Sequence, residues 1–484
     1  MLEKILSEKE INFNKLEKEI FKIGCEYAQR LMVNIFKMID DELANNRDKR
    51  IFRHKGKRKT TLKTLMGEVE FERNIYETRS LEGEKAFVYL LDRVMDFKTF
   101  GKISTNLAHK ISENACICSF RNSAKNITEL TGQSISHGGV WNVVQSLGAK
   151  IKETENEYSE LAANGEIYGQ KETKVLFEEA DGVWINIQGK DRPKKGRKLE
   201  MKVAVAYDGW EKHGKNRYEL RNKIAVAGYD RSKEFQKRKE GIISSMFNTD
   251  EIAMRILNGD GGSWIKAGLI DDTVHYQLDP FHLNREIIRT VKDKEQKDAI
   301  MKMLSEKRIE DVLIYIKAIE VITEDNERKA KLEKLYQYLS NNKEGLIPYK
   351  ERGIKLPSPP EGVEYRQLGT MEHHICDIIA QRMKHRKTSW SISGSEKLGK
   401  ILTQKVCKTL YEKITQLSKI ILPEEYTREI KEVISAAKMP LQTGKGYKYP
   451  ITGKIPFEET YVTNGRDVIQ SMLKDRKAID LVYR

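Results

Sequence analysis

Apolar residues Leu16, Ile20, Ile23, Tyr27, Leu31 and Met38 recur at three- and four-residue steps, with one seven-residue gap at Asn34. That period predicts a single long helix over residues 13–44, its stripe covered either inside the chain or by a second copy. The spacing then changes to alternation. In HKGKRKTTLKTLMGEVEFERNIYE, Leu62 and Leu65 lead into Gly67 and Val69, Phe71 and Ile75 lead out, which predicts a β-hairpin. Lys55, Lys57, Arg58, Lys59 and Lys63 crowd its first arm, a ribbon that could lie on DNA or simply face water.

Helical spacing returns in SFRNSAKNITELTGQSISHGGVWNVVQSLGAKI. One helix runs from about Ser119 to Leu130 and stops at Gly132. Ser136 caps a second that carries Val140, Val143, Val144 and Leu147. Two short helices joined by a tight Gly-containing turn fit a helix-turn-helix, which would present Ser136, His137 and Asn142 to a major groove. An ordinary αα-hairpin has the same pattern.

From residue 173 strands dominate. TKVLFEEADGVWINIQG, KLEMKVAVAYDGW and RYELRNKIAVAGY are three successive strand-like runs, followed by a polar helix (231–247), the strand IAMRILNGD, a short helix from Ser263, the strand TVHYQLD and a helix from Pro280. Residues 284–345 are helical almost throughout. This order predicts a mixed sheet covered by helices, in a multidomain α+β or α/β chain. The segments read as an N-terminal helix and hairpin (1–100), a helix-turn-helix region (101–165), the first part of a core (166–290), a helical insertion (291–360), the last core helix (361–390) and a C-terminal region (391–484).

Composition narrows the function classes. The 484 residues are 33% charged and 39% hydrophobic, with a net charge of +15. That describes a folded chain whose basic surface favours a polyanionic partner. There is no bilayer-length apolar run and no secretory core at the N-terminus, so a cytoplasmic protein is expected. Cys25, Cys116, Cys118, Cys376 and Cys407 do not complete a zinc site.

The acids carry the candidate chemistry. Alternate residues of the first core strand put Val175, Phe177, Glu179, Asp181, Val183, Ile185 and Ile187 on one face, so two acids interrupt a core-facing stripe. Burying them is costly unless a cation or hydrogen bonds compensate. The alternative is a half-buried face at a sheet edge. Asp260 ends a second strand and is followed by Gly261 and Gly262; it is either a turn residue or a partner for Asp181 in holding divalent cations. Spacing alone does not choose a third acid among Glu361, Glu364, Glu372 and Asp377. Lys190, Arg192, Lys194, Lys195, Arg197 and Lys198 form a basic turn that could hold a DNA backbone or face solvent.

The segments EADGVWI, NGDGGSW, QLDPFHLNREI and MEHHICDIIAQRMKHRKTSWS, in that order, resemble the DDE transposases of bacterial insertion sequences related to Mutator, in particular the ISLre-type branch. The resemblance covers roughly residues 50–400. It implies a ribonuclease-H-like core preceded by a helix-turn-helix, and puts the catalytic, metal-holding acids at Asp181, Asp260 and Glu372. Related enzymes carry Cys-x-x-His where this chain has Asp279 and His282, which leaves that pair as support for the site.

The resemblance further implies two Mg²⁺ ions, with Mn²⁺ as substitute, and double-stranded DNA as partner, both element ends and target. It implies a homodimer or larger assembly. Lys194, Lys195 and Arg197 of the basic turn, with Arg382 and Arg386 of the last core helix, are the DNA contacts expected besides the second helix. Two other readings compete. An inactive DNA-binding regulator derived from a transposase would lose one of the acids. A two-carboxylate glycosidase would have aromatic subsites, whereas this chain is basic and 8% aromatic.

Overall fold

The computed structural model describes residues 12–79, 84–190, 192–194, 196–385 and 388–418. The long helix is α1, Phe13–Asn46, with the Asn12 side chain accepting from Lys15 N at its start. Phe36, Asp40 and Leu43 are its buried residues, while Ile20, Tyr27, Leu31 and Met38 stay exposed. The periodic stripe is therefore not the face this chain buries.

Strands β1 (Arg53–Thr64) and β2 (Gly67–Arg79) form the expected hairpin, with Gly67 at φ +117° where only glycine is at ease. With β3 (Lys85–Val88), helix α2 (Leu90–Val94), β4 (Thr99–Phe100) and β5 (Ile103–Ser104), they build a sheet of order β3-β2-β1-β5-β4. Its basic arm is partly neutralised: Lys55 pairs with Glu77 at 2.7 Å, Lys59 with Glu70 at 2.6 Å and Lys57 with Asp41 at 3.9 Å.

Helices α3 (Thr105–Ile117), α4 (Phe120–Leu130) and α5 (His137–Ala163) follow. The expected helix pair is α4 and α5, but residues 131–136 make the connection longer than a tight turn, and α5 runs for 27 residues. Val140, Val143, Val144, Leu147 and Ile151 of α5 are buried in the main core. The second helix is thus also a strut of the core.

The main sheet contains β6 (Val175–Asn186) and β7 (Lys198–Tyr207); β8 (Trp210–Lys212) and β9 (Tyr218–Leu220) lie outside it, and β10 (Ile224–Gly228) rejoins it. RYELRNKIAVAGY, expected as one strand, is split because Asn222 adopts a left-handed φ of +47° between β9 and β10. Helix α6 (Ser232–Met246), β11 (Met254–Gly259), helix α7 (Ser263–Lys266) and β12 (Val274–Leu278) complete the layer. The order is β10-β7-β6-β11-β12, antiparallel across β10-β7-β6 and parallel across β6-β11-β12. Val175, Phe177, Val183 and Ile185 of β6, and Ile187 just past its end, enter one core cluster, as their alternation predicts; Leu176 and Ala180 enter clusters on the opposite face.

Next come helices α8 (Pro280–Thr290), α9 (Lys294–Ser305), α10 (Ile309–Ile322) and α11 (Asn326–Asn341). They bury Ile300, Val312, Ile316, Leu332 and Leu339 together with Tyr276 and Leu278 of β12, so this helical region has its own core, seated on the edge strand. Strand β13 (Val363–Glu364) pairs with β8. Helix α12 (Met371–Ile375) runs through a π-helical turn, Cys376–Ala380, into α13 (Gln381–Met383). Helices α14 (Ile392–Val406) and α15 (Leu410–Leu417) end the described chain.

Helix α14 packs on β10 and α5. Its fully buried Lys400 donates to the Ala227 carbonyl at 2.7 Å and pairs with Glu155 at 2.5 Å. The sheet layer thus extends beyond residue 390, where the sequence pattern ended it. Residues 419–484 of the expected C-terminal region lie outside the described residues. The whole is a mixed α+β chain.

Candidate metal-binding site

The register of the main sheet brings two of the predicted acids together. Strand β11 runs parallel to β6 and its last pair sets Gly259 beside Ala180. The next residue on each strand is an acid, Asp260 beside Asp181. His282, in the first turn of α8, faces the same point. Ligand atoms of Asp181, Asp260 and His282 all lie within 4.8 Å of one another, and His282 Nε2 stands 3.6 Å from Asp181 Oδ2.

The local chemistry explains the placement. Gly261 has φ +88°, and a Cβ there would stand 2.7 Å from the Asn342 side chain, so the turn admits glycine and little else. Asp260 Oδ1 accepts from Gly262 N at 2.8 Å, and the Asp260 carbonyl accepts from the Tyr338 hydroxyl at 3.0 Å. The turn role and the site role of Asp260 thus coincide. Ser263 does not cap the following helix, which starts from Gly262 without a side-chain cap.

Asp181 is only 8% exposed. Burial pushes its carboxyl up to about 6, His282 and the Gly182 N–H pull against that, and the charges of Asp260 and Glu372 add to the rise. Glu372 sits on the exposed first turn of α12; it is outside the close group, yet near enough for its charge to act on Asp181. Two carboxylates and an imidazole, one of the carboxylates reluctant to ionise in a mostly buried niche, are a donor set that a divalent cation fits.

Glu179, the other acid in the β6 stripe, is fully buried and does not reach an edge, because β6 is the central strand. Its Oε1 accepts from the Tyr207 hydroxyl at 2.6 Å and from the Thr370 hydroxyl. Its Oε2 accepts from Asn258 Nδ2 at 3.1 Å and from the backbone N–H groups of Gly369 and Thr370, each at 3.0 Å. Glu179 therefore fastens the loop before α12 to the central strand and fixes where Glu372 starts. Sequence spacing flagged this acid as anomalous but held no sign of its partners, which lie from 28 to 191 residues downstream.

Asp279 is likewise buried, but it is turned to its own helix. Its Oδ1 accepts from Phe281 N and His282 N, and its Oδ2 accepts from Asn258 Nδ2 at 2.9 Å. It caps α8 and so orients His282.

The residues expected to touch DNA divide sharply. Ser136 is the N-cap of α5, accepting from Gly139 N at 3.1 Å, and His137 and Asn142 are exposed beside it. Lys194 and Arg197 are exposed on the β6–β7 turn; Lys195 and Arg386 lie outside the described residues. Arg382 corrects the expectation. It is 4% exposed, its Nε donates to the Ala115 carbonyl at 2.7 Å, and its guanidinium stacks over Phe120 and Trp390. Helix α13 turns that side chain into the core, so it is unavailable to a phosphate.

The sequence profile of the uncharacterised protein family UPF0236 matches residues 6–417, and the chain belongs to that family. A UPF0236 protein of Caldanaerobacter subterraneus subsp. tengcongensis is 24% identical over 384 residues, spanning 78% of this chain and 74% of the relative. A UPF0236 protein of Streptococcus gallolyticus is 25% identical over 402 residues, 81% of this chain and 82% of the relative.

Proposed function

We propose that this chain is a DNA transposase of an insertion sequence, cutting element ends and joining the freed 3′-hydroxyls to target DNA by metal-dependent phosphoryl transfer. The observation that carries the reading is the convergence of Asp181, Asp260 and His282 within 4.8 Å, from strands and a helix far apart in sequence. The strand order, three antiparallel strands continued by two parallel ones with Asp181 on the central strand, supports a ribonuclease-H-like core. One Caldanaerobacter relative is named by eleven locus labels of a single strain, as expected of a gene spread by copying.

In this reading Asp181, Asp260 and Glu372 hold Mg²⁺ or Mn²⁺, with His282 as a further donor. Bound divalent ions supply a water or 3′-hydroxyl of lowered pKa and neutralise charge on the reacting phosphate. The chain's own part is to aim the carboxylates at one point, Asp181 and Asp260 through strand register and Glu372 through the Glu179 clamp. No side chain serves as nucleophile, so no covalent protein–DNA species is expected. Exposed Ser136, His137, Asn142, Lys194 and Arg197 are the proposed DNA contacts, with two copies of the chain pairing the two ends.

The test is strand nicking of an element-end duplex. Asp260→Asn should bind that duplex as the parent does and lose nicking with Mg²⁺ or Mn²⁺ by more than about a hundredfold, beyond the 10–100-fold typical of losing a residue behind a ligand. Undiminished nicking by Asp260→Asn discards the assignment.

A further inference from the structure

Beside the acid group the chain opens a cleft of about 810 Å³, with Asp260 and His282 in its lining. Its walls come from two segments of the helical region. Arg285, Arg289 and Lys292 follow one another at four- and three-residue steps along and just past α8; Arg328, Lys331 and Lys334 do so at three-residue steps on α11. Such spacing keeps Arg285 with Arg289, and the α11 trio, on one side of each helix, while Lys292 follows the extended Val291 at the end of α8.

The lining also holds acids, and most are engaged locally. Glu286 faces Arg285 at 3.8 Å and Arg289 at 3.6 Å, and Glu327 pairs with Lys331 at 2.6 Å. Asp325 accepts from Glu327 N as the N-cap of α11. Six basic side chains against these three acids and Asp260 leave an excess of two positive charges. Among the described residues, exposed Lys292 and Lys334 make no ion pair within 4 Å. Surface lysines facing a cleft without an acidic partner are set to take an external anion.

From this we infer that the α8–α11 cleft binds the sugar–phosphate backbone of the duplex leading into the carboxylate site, through Lys292 and Lys334 above all. This rests on the reading of the acid group as a phosphodiester-processing site. It adds that the helical region is a DNA-binding arm and not only a spacer between core segments. The cleft presents six cationic side chains, which suits backbone contact independent of base sequence. An acidic peptide would meet the same charges, but the cleft opens onto Asp260 and His282, where a phosphodiester and not a peptide would be needed.

The experiment uses the full chain carrying Asp260→Asn, in chelator and without divalent ion, so that binding is read apart from chemistry. A fluorescently labelled duplex of mixed sequence is titrated by anisotropy at several salt concentrations. Adding Lys292→Glu and Lys334→Glu should weaken binding at least about tenfold and lower the salt slope by roughly two, since each phosphate contact contributes about 0.9. The matched pair Lys233→Glu and Lys237→Glu, exposed on α6 outside the cleft, should change affinity less than about threefold once net charge is equal.

Unchanged affinity and slope in the cleft variant, with its melting curve intact, overturns the proposal. So does displacement of the duplex by millimolar pyrophosphate as readily as by unlabelled duplex, which marks a small-phosphate site. Weakened binding in this assay together with absent nicking by the parent chain would refute the enzymatic reading and leave the arm standing.

Discussion

Asp181 is where charge, burial and register meet. Its carboxyl is raised from 3.8 to about 6 by burial and by the charges of Asp260 and Glu372, with His282 opposing. A carboxyl that binds its proton more tightly in the folded chain contributes stability that is full below about pH 3.8 and lost as pH climbs through about 6. The cation-free chain should therefore lose on the order of 2–3 kcal/mol from this one group between pH 4 and 7, and a bound cation, needing the ionised form, should restore it. Thermal melts with and without Mn²⁺ read this directly: the gain in Tm from Mn²⁺ should be small at pH 5 and largest near pH 7. An equal gain at both would mean that Asp181 does not hold the ion. This pair of acids was legible in the sequence, because an acid inside an apolar alternation and an acid before two glycines are both locally unusual. Glu372 was not legible from spacing, since an acid in a first helical turn suits the helix dipole wherever it occurs.

Among elements, β6, β11, α8 and α12 are held at one point by buried polar ties that no local pattern encodes. Glu179 is the clearest case, with five donors converging on one carboxylate. Glu179→Ala leaves those buried donors without an acceptor and should cost about 3–5 kcal/mol, whereas Glu179→Gln, able to keep a carbonyl oxygen toward the backbone N–H groups, should recover most of it. Denaturant midpoints of the two variants check this. Helix crossing gives a second expectation. A Cβ at Gly148 on α5 would stand 2.4 Å from the Lys397 carbonyl oxygen within α14, so Gly148→Ala should destabilise by about 1–3 kcal/mol despite alanine's better helix propensity. Helices and strands themselves were readable from periodicity. What escaped was tertiary: the length of α5, the break at Asn222 and the inward turn of Arg382 all follow from packing partners distant in sequence.

For the whole molecule, the proposed function requires three separated stretches of a 484-residue chain to close around one point, with the helical region seated beside it. The sheet supplies that closure, since parallel pairing of β11 with β6 makes Asp260 a neighbour of Asp181 across about eighty residues of intervening chain. The charge of +15 and the cations of the α8–α11 cleft suit a polyanion approaching that point. The alternation and the order of the motifs disclosed the layer and its acids, whereas the cleft depends on how α8 meets α11 and has no signature in either helix alone. The most direct measurement is anomalous diffraction from crystals soaked in Mn²⁺ near pH 7. A peak within coordination distance of both Asp181 and Asp260 is the expected result. An intact, well-ordered site with no manganese between those two carboxylates at saturating concentration would contradict it.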